Sequence, residues 1–97
     1  MHFLFILSTP RALKHLIGIS KAAKTKGHDV SIFFNEESVK LLLDPSFELF
    51  GSELLACITS SKALGITEEK LIKGARMSSL GEMVMLIEKC DKTLFMG

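Results

Sequence analysis

Cys57 is the residue of this 97-residue chain whose type and surroundings best suit chemistry. It lies near the end of the apolar run Leu54-Leu55-Ala56-Cys57-Ile58, just ahead of the polar stretch Thr59-Ser60-Ser61-Lys62. That pattern reads as a buried strand passing through a turn into a helix start. The unpaired N–H groups and the dipole of a helix start favour an anion, so a nearby thiol ionises more readily, and the thiolate is the species that attacks. Lys62 adds a second cation if it folds back. The competing reading is a small apolar side chain buried in the middle of a strand, because Ile58 still separates Cys57 from the polar turn.

The other reactive side chains offer less. Cys90 follows Ile87 by three residues and Met83 by seven, on the apolar stripe of the last helix, where core packing or a resolving thiol are its two readings. His2, His15 and His28 fall in a terminus, a helix and a turn, without metal-site spacing. Glu36-Glu37 and Glu68-Glu69 fall in first helical turns, where the dipole accounts for them. Neither a Gly-x-Gly-x-x-Gly nor a phosphate-binding Gly-x-x-x-x-Gly-Lys-Ser/Thr is present. An anion could instead rest on the helix starts after Leu7 and Ile58, held by Ser8 and Thr9 and by Thr59, Ser60, Ser61 and Lys62.

Positioning these groups requires a framework, and the chain alternates short apolar runs with helix-period stretches. Phe3 to Leu7 is an unbroken apolar strand, followed by Ser8-Thr9-Pro10, with Pro suited to the first helical position. Leu13, Leu16, Ile17, Ser20 and Ala23 recur at helical spacing up to Gly27. Asp29 to Phe34 is a second strand, and Glu36 to Leu43 a short helix. The third strand is Leu54 to Ile58, followed by a brief helical piece closed by Gly65. Thr67 to Gly74 reads as another helix, and Ala75 to Met77 as a very short strand. Ser79 and Glu82 make a capping box for the helix carrying Leu80, Met83, Val84 and Ile87. Lys92 to Met96 is the closing strand. Alternation of this kind predicts one α/β domain over residues 1–97: a three-layer α/β/α arrangement with a mostly parallel sheet of four to five strands, flavodoxin-like in general layout.

Composition narrows the function. Twelve Lys and Arg against eleven Asp and Glu leave a net charge of +1, and there is neither Trp nor Tyr to stack on bases. Nucleic acid and acidic membrane surfaces are therefore not expected as partners. No apolar run approaches a membrane span, the N-terminal run is too short for a secretory signal, and two cysteines cannot build a disulfide framework. A cytoplasmic protein with reduced thiols is expected.

The stretch Ala56-Cys57-Ile58-Thr59-Ser60-Ser61-Lys62-Ala63-Leu64-Gly65-Ile66 resembles the DsrE/DsrF-like family. So do Glu68 to Gly74, Met77-Ser78-Ser79-Leu80-Gly81-Glu82-Met83, Gly27-His28-Asp29-Val30 and Cys90-Asp91-Lys92. The resemblance spans nearly the whole chain. It implies a cytoplasmic, oligomeric α/β protein of sulfur transfer, without cofactor or metal, in which a cysteine at the end of a strand carries a persulfide between donor and acceptor proteins. Cys57 occupies that position. A homo-oligomer is also expected from the residues, since Leu41-Leu42-Leu43, Phe47, Leu49 and Phe50 exceed what one short helix can hide; the interface should include Leu42, Phe47 and Phe50.

Overall fold

The apolar runs become the strands of a single parallel sheet in a computed structural model that describes residues 1–45, 47 and 51–97. The strands are β1 (His2–Leu7), β2 (Asp29–Phe34), β3 (Ser52–Cys57), β4 (Ala75–Ser78) and β5 (Lys92–Met96), in the order β4-β3-β2-β1-β5. The helices are α1 (Leu13–Thr25), α2 (Ile58–Ala63) and α3 (Leu80–Lys89), joined by 3-10 segments at Pro10–Ala12, Glu36–Leu43 and Glu68–Lys70.

Strand order decides which face each helix covers. From β1 to β4 each connection steps one strand in the same direction, and right-handed crossovers then put all three connections on one face. That face carries α1, the 3-10 helix Glu36–Leu43 and α2 with its following turn. Its core joins Leu16, Val39, Leu42 and Leu71 to Leu7, Phe34 and Ala56 of the sheet. The last connection runs back past β1 to its far side, so α3 lies on the opposite face. There Met83, Leu86 and Ile87 pack on Leu4, Ile6, Phe33, Leu55, Cys57 and Cys90.

Several boundaries differ from the sequence reading. β3 ends at Cys57, and Ile58 is the first residue of α2 rather than the last of the strand. Residues 36–43 take 3-10 geometry, with Asn35 and Ser38 forming a reciprocal capping box. The helix expected from Thr67 to Gly74 shrinks to one 3-10 turn, Glu68–Lys70. Leu71 is extended at ψ 150° and buried in the core, and Gly74 is left-handed at φ +94°; core burial outweighs the local helical tendency.

The expected oligomer interface is also corrected. Leu42 is fully enclosed, and Phe47 packs edge-on against Phe34 with ring centroids 5.8 Å apart. Both belong to the chain's own core and are unavailable to a partner. Leu49 and Phe50 lie outside the described residues. Among the described residues of the expected patch only Leu43 is exposed, at 37%; apart from Met1, the other large exposed apolar side chains among the described residues are Leu80, Val84 and Met85 on α3, and Leu94 and Phe95 on β5.

Candidate functional site

Cys57 is both the last residue of β3 and the N-cap of α2. Its backbone is extended, at φ −62° and ψ 122°, as an N-cap requires, and its Sγ accepts the Ser60 N–H at 3.5 Å. A thiol replaces the usual hydroxyl or carboxylate cap, so the sulfur faces the positive end of the first helical turn. The side chain is 1% exposed, enclosed on the α3 face of the sheet.

The neighbouring hydroxyls shape the backbone around the sulfur. Ser61, fully buried, donates to the Cys57 carbonyl at 2.7 Å. Ser60 Oγ donates to Asn35 Oδ1 at 2.8 Å and accepts the Glu36 N–H at 2.9 Å, tying the end of β3 to that of β2. Ser38 Oγ in turn donates to the Leu7 carbonyl at 2.6 Å and accepts the Asn35 N–H, which joins the end of β1. Glu36 sits at φ +50°, a left-handed conformation unusual for a side chain with a Cβ. The network holds it there, because its N–H reaches both Asn35 Oδ1 and Ser60 Oγ. Asn35, Glu36 and Ser38 were not among the expected site residues. The available signal was Asn35 followed three residues later by Ser38, a cap pattern that says nothing of Ser60.

The remaining expected groups are dispersed. Thr59 is exposed, and Lys62 is exposed in the last turn of α2, where it complements the helix C-terminus rather than the thiol. Ser8 and Thr9 leave β1 beside β5, where the strand order changes direction, and β2 separates them from the end of β3. Ser8 N–H bonds the Met96 carbonyl, and Thr9 Oγ1 accepts the Arg11 N–H at 3.3 Å. With Pro10 lacking a donor and Ser60 N–H engaged by sulfur, the two helix starts offer an anion less than the sequence suggested.

Cys90 lies at the other end of the sheet. It closes α3 just before β5, beside Asp91, whose N–H reaches the His2 carbonyl. Burial first, then the charges of Asp91 and Glu53, pushes its thiol pKa up. The two cysteines are free and both buried, and a resolving role for Cys90 has no geometric support. Ser78, the cross-strand neighbour of Cys57, donates to Glu82. The Arg76 guanidinium grips the same carboxylate through two bonds of 2.9 and 2.8 Å, and with Ser78 it holds the Glu82 carboxyl down at about 2. Among the described residues no cluster of three or more His, Cys, Asp or Glu could hold a metal ion, and no helix is long and apolar enough to cross a membrane.

A parallel α/β domain with a cysteine capping the helix after its third strand is thus defined by fold and site together. The chain belongs to the DsrE/DsrF-like family, whose model matches residues 1–96; the family is known for sulfur relay. An uncharacterized protein of Methanopyrus kandleri, MK0008, is 30% identical over 88 residues, covering 75% of this chain and 72% of its own. Among solved structures, the ychN protein from E. coli is similar over 99% of this chain and all of its own, with a TM-score of 0.80 at 18% identity. MTH1491 from Methanobacterium thermoautotrophicum, a protein of unknown function, matches over 98% of both chains, with a TM-score of 0.83 at 14% identity. At these identities the two structures speak for the fold.

Proposed function

We propose that this protein is a cytoplasmic sulfur carrier that holds sulfane sulfur as a persulfide on Cys57. The observation that carries the reading is the Cys57 Sγ capping α2 at 3.5 Å from the Ser60 N–H. The Cys57 thiolate attacks the terminal sulfur of a donor protein's persulfide. The donor's S–S bond breaks, the donor cysteine leaves as a thiolate, and Cys57 keeps the transferred sulfur as Cys57–S–SH. The exchange is thiol–disulfide-like, with no net oxidation and no cofactor. The outer sulfur extends about 2 Å beyond Sγ, next to the helix start whose Ser60 N–H already reaches Sγ. A thiol that is 1% exposed reacts poorly with free small molecules, so loading is reserved for a docked protein that opens the site.

The test is intact-mass measurement after incubation with a cysteine desulfurase and cysteine. The expected product is about 32 Da heavier, one sulfur. Cys57→Ser should abolish the adduct and Cys90→Ser should keep it. An adduct that survives Cys57→Ser overturns the assignment.

The carrier is proposed to act as a homo-oligomer assembled through α3. Leu80, Met83, Val84, Met85, Leu86 and Ile87 make this helix apolar on nearly every side, yet none of its residues is fully buried. Val84, Met85 and Phe95 are 51%, 54% and 62% exposed. A helix apolar all round belongs in an interior, and a second copy supplies one.

A further inference from the structure

Among the described residues, no element on the sheet face that carries α1 lies over the edge strand β5. Two adjoining cavities of about 340 and 460 Å³ fill this strip, sharing Ile19 and Leu94 in their walls. The floor is apolar: Phe3 and Phe5 from β1, Ile19 and Ala22 from α1, and Leu94, 44% exposed. The rim is basic, with Arg11 and His15 at one end and Lys26 and Lys92 at the other. Among the described residues neither wall contains an Asp or Glu. Among the described residues none of these four side chains has an ion-pair partner, although Arg76 and Lys40 elsewhere on the surface do.

We propose that the groove between α1 and β5 is a docking site for an acidic amphipathic helix of a partner protein. The five residues of β5 span roughly 16 Å, the length of about three helical turns. A helix laid there takes the layer position next to α1 that the chain itself leaves vacant. Leucines at i, i+3, i+4 and i+7 meet Ile19, Ala22 and Leu94. Carboxylates at the helix's two ends meet Arg11 at one end and Lys26 and Lys92 at the other, which accounts for cations at both ends of one apolar strip. An alkyl-chain carboxylate would need only one cationic end. The site lies on the opposite face of the sheet from α3 and is independent of sulfur loading at Cys57.

The experiment is a fluorescence-anisotropy titration of the full chain with a synthetic Leu/Ala/Glu helix of about 14 residues, labelled at one end. The control is the same peptide with Lys in place of Glu. The Glu peptide is expected to bind, to weaken about tenfold or more as salt rises from low to high ionic strength, and to shift the amide signals of Ile19, Ala22 and Leu94. Lys26→Glu with Lys92→Glu, both at exposed positions, should lose about tenfold towards the Glu peptide and gain affinity for the Lys peptide. The milder Lys26→Met with Lys92→Met should bind with a flatter salt dependence. Equal binding of the two peptides, no binding of the Glu peptide, or signal shifts confined to α3 would overturn the proposal. So would dodecanoate binding in the groove without the peptide, or loss of a self-associated species in the charge-reversed variant.

Discussion

The two faces of the sheet are closed to very different degrees. The α1 face receives three connections and encloses Leu16, Phe34, Val39 and Leu42 completely. The α3 face receives one ten-residue helix with no fully buried side chain. A strip of that second face is polar instead. His2 Nε2 bonds Ser31 Oγ at 2.7 Å, Ser31 donates to Glu53 at 2.9 Å, and Arg76 bridges Glu53 and Glu82. The difference follows from strand order, since only the single step from β4 to β5 reverses direction. It teaches that the face holding Cys57 is covered by a single connection, whereas the α1 face is closed over β1 to β3 and open only beside the edge strand β5.

Truncation on each face gives the largest contrast. Leu16→Ala should destabilise by about 3 kcal/mol, because the enclosed site cannot collapse. Ile87→Ala, half-buried, should lower stability by about 1 kcal/mol in dilute monomer. Urea unfolding of both variants checks this, and equal losses would mean that a partner encloses α3 in solution.

The rim joining the strand ends comes next. Asn35→Ala removes the acceptor of both Glu36 N–H and Ser60 Oγ and should cost about 1 kcal/mol by thermal melting. A smaller effect belongs to the polar strip. The Glu82 carboxyl lies below its ordinary 4.5, at about 2, chiefly through Arg76, so its contribution is full above about pH 4.5 and fades as pH falls towards 2. Solvent screening of this partly exposed pair limits it to roughly 0.5–1 kcal/mol. Glu82→Gln should lose that amount at pH 7 and nothing near pH 2; an unchanged difference across that range would remove the linkage.

The smallest stability change should accompany the clearest change in assembly. Val84→Lys with Met85→Lys should alter protomer stability by no more than about 0.5 kcal/mol, since both are exposed. Light scattering on a gel-filtration peak should nevertheless fall from an oligomer to a monomer mass. A monomer before mutation would break the proposed assembly.

Much of the molecule is local and therefore legible. Short apolar runs marked the strands, with β4 the weakest signal, and period-3.6 spacing marked α1 and α3, because burial of one stripe or of both strand faces is written into neighbouring residues. Cys57 was legible as a cysteine at a strand end. What the sequence left unresolved depends on residues distant along the chain. Leu42 and Phe47 looked like surplus apolar surface until β2 and β3 formed a floor for them. Asn35 and Ser60, 25 residues apart, meet only because β2 and β3 are neighbours. The Thr67–Gly74 segment had helical composition, but the demand that Leu71 reach the core overrode it.

By itself, then, the sequence determined the element types, the parallel α/β class and the candidate nucleophile, since each rests on contacts within a turn or a strand. Tertiary structure alone decided the strand order, and with it which face α3 covers, how Asn35 and Ser38 reach the rim of Cys57, and where apolar surface stays exposed. The physical reason is that a strand's apolar run is satisfied equally well by any neighbour in a sheet. Only the assembled chain, with its right-handed crossovers and one reversal of direction, selects among those neighbours.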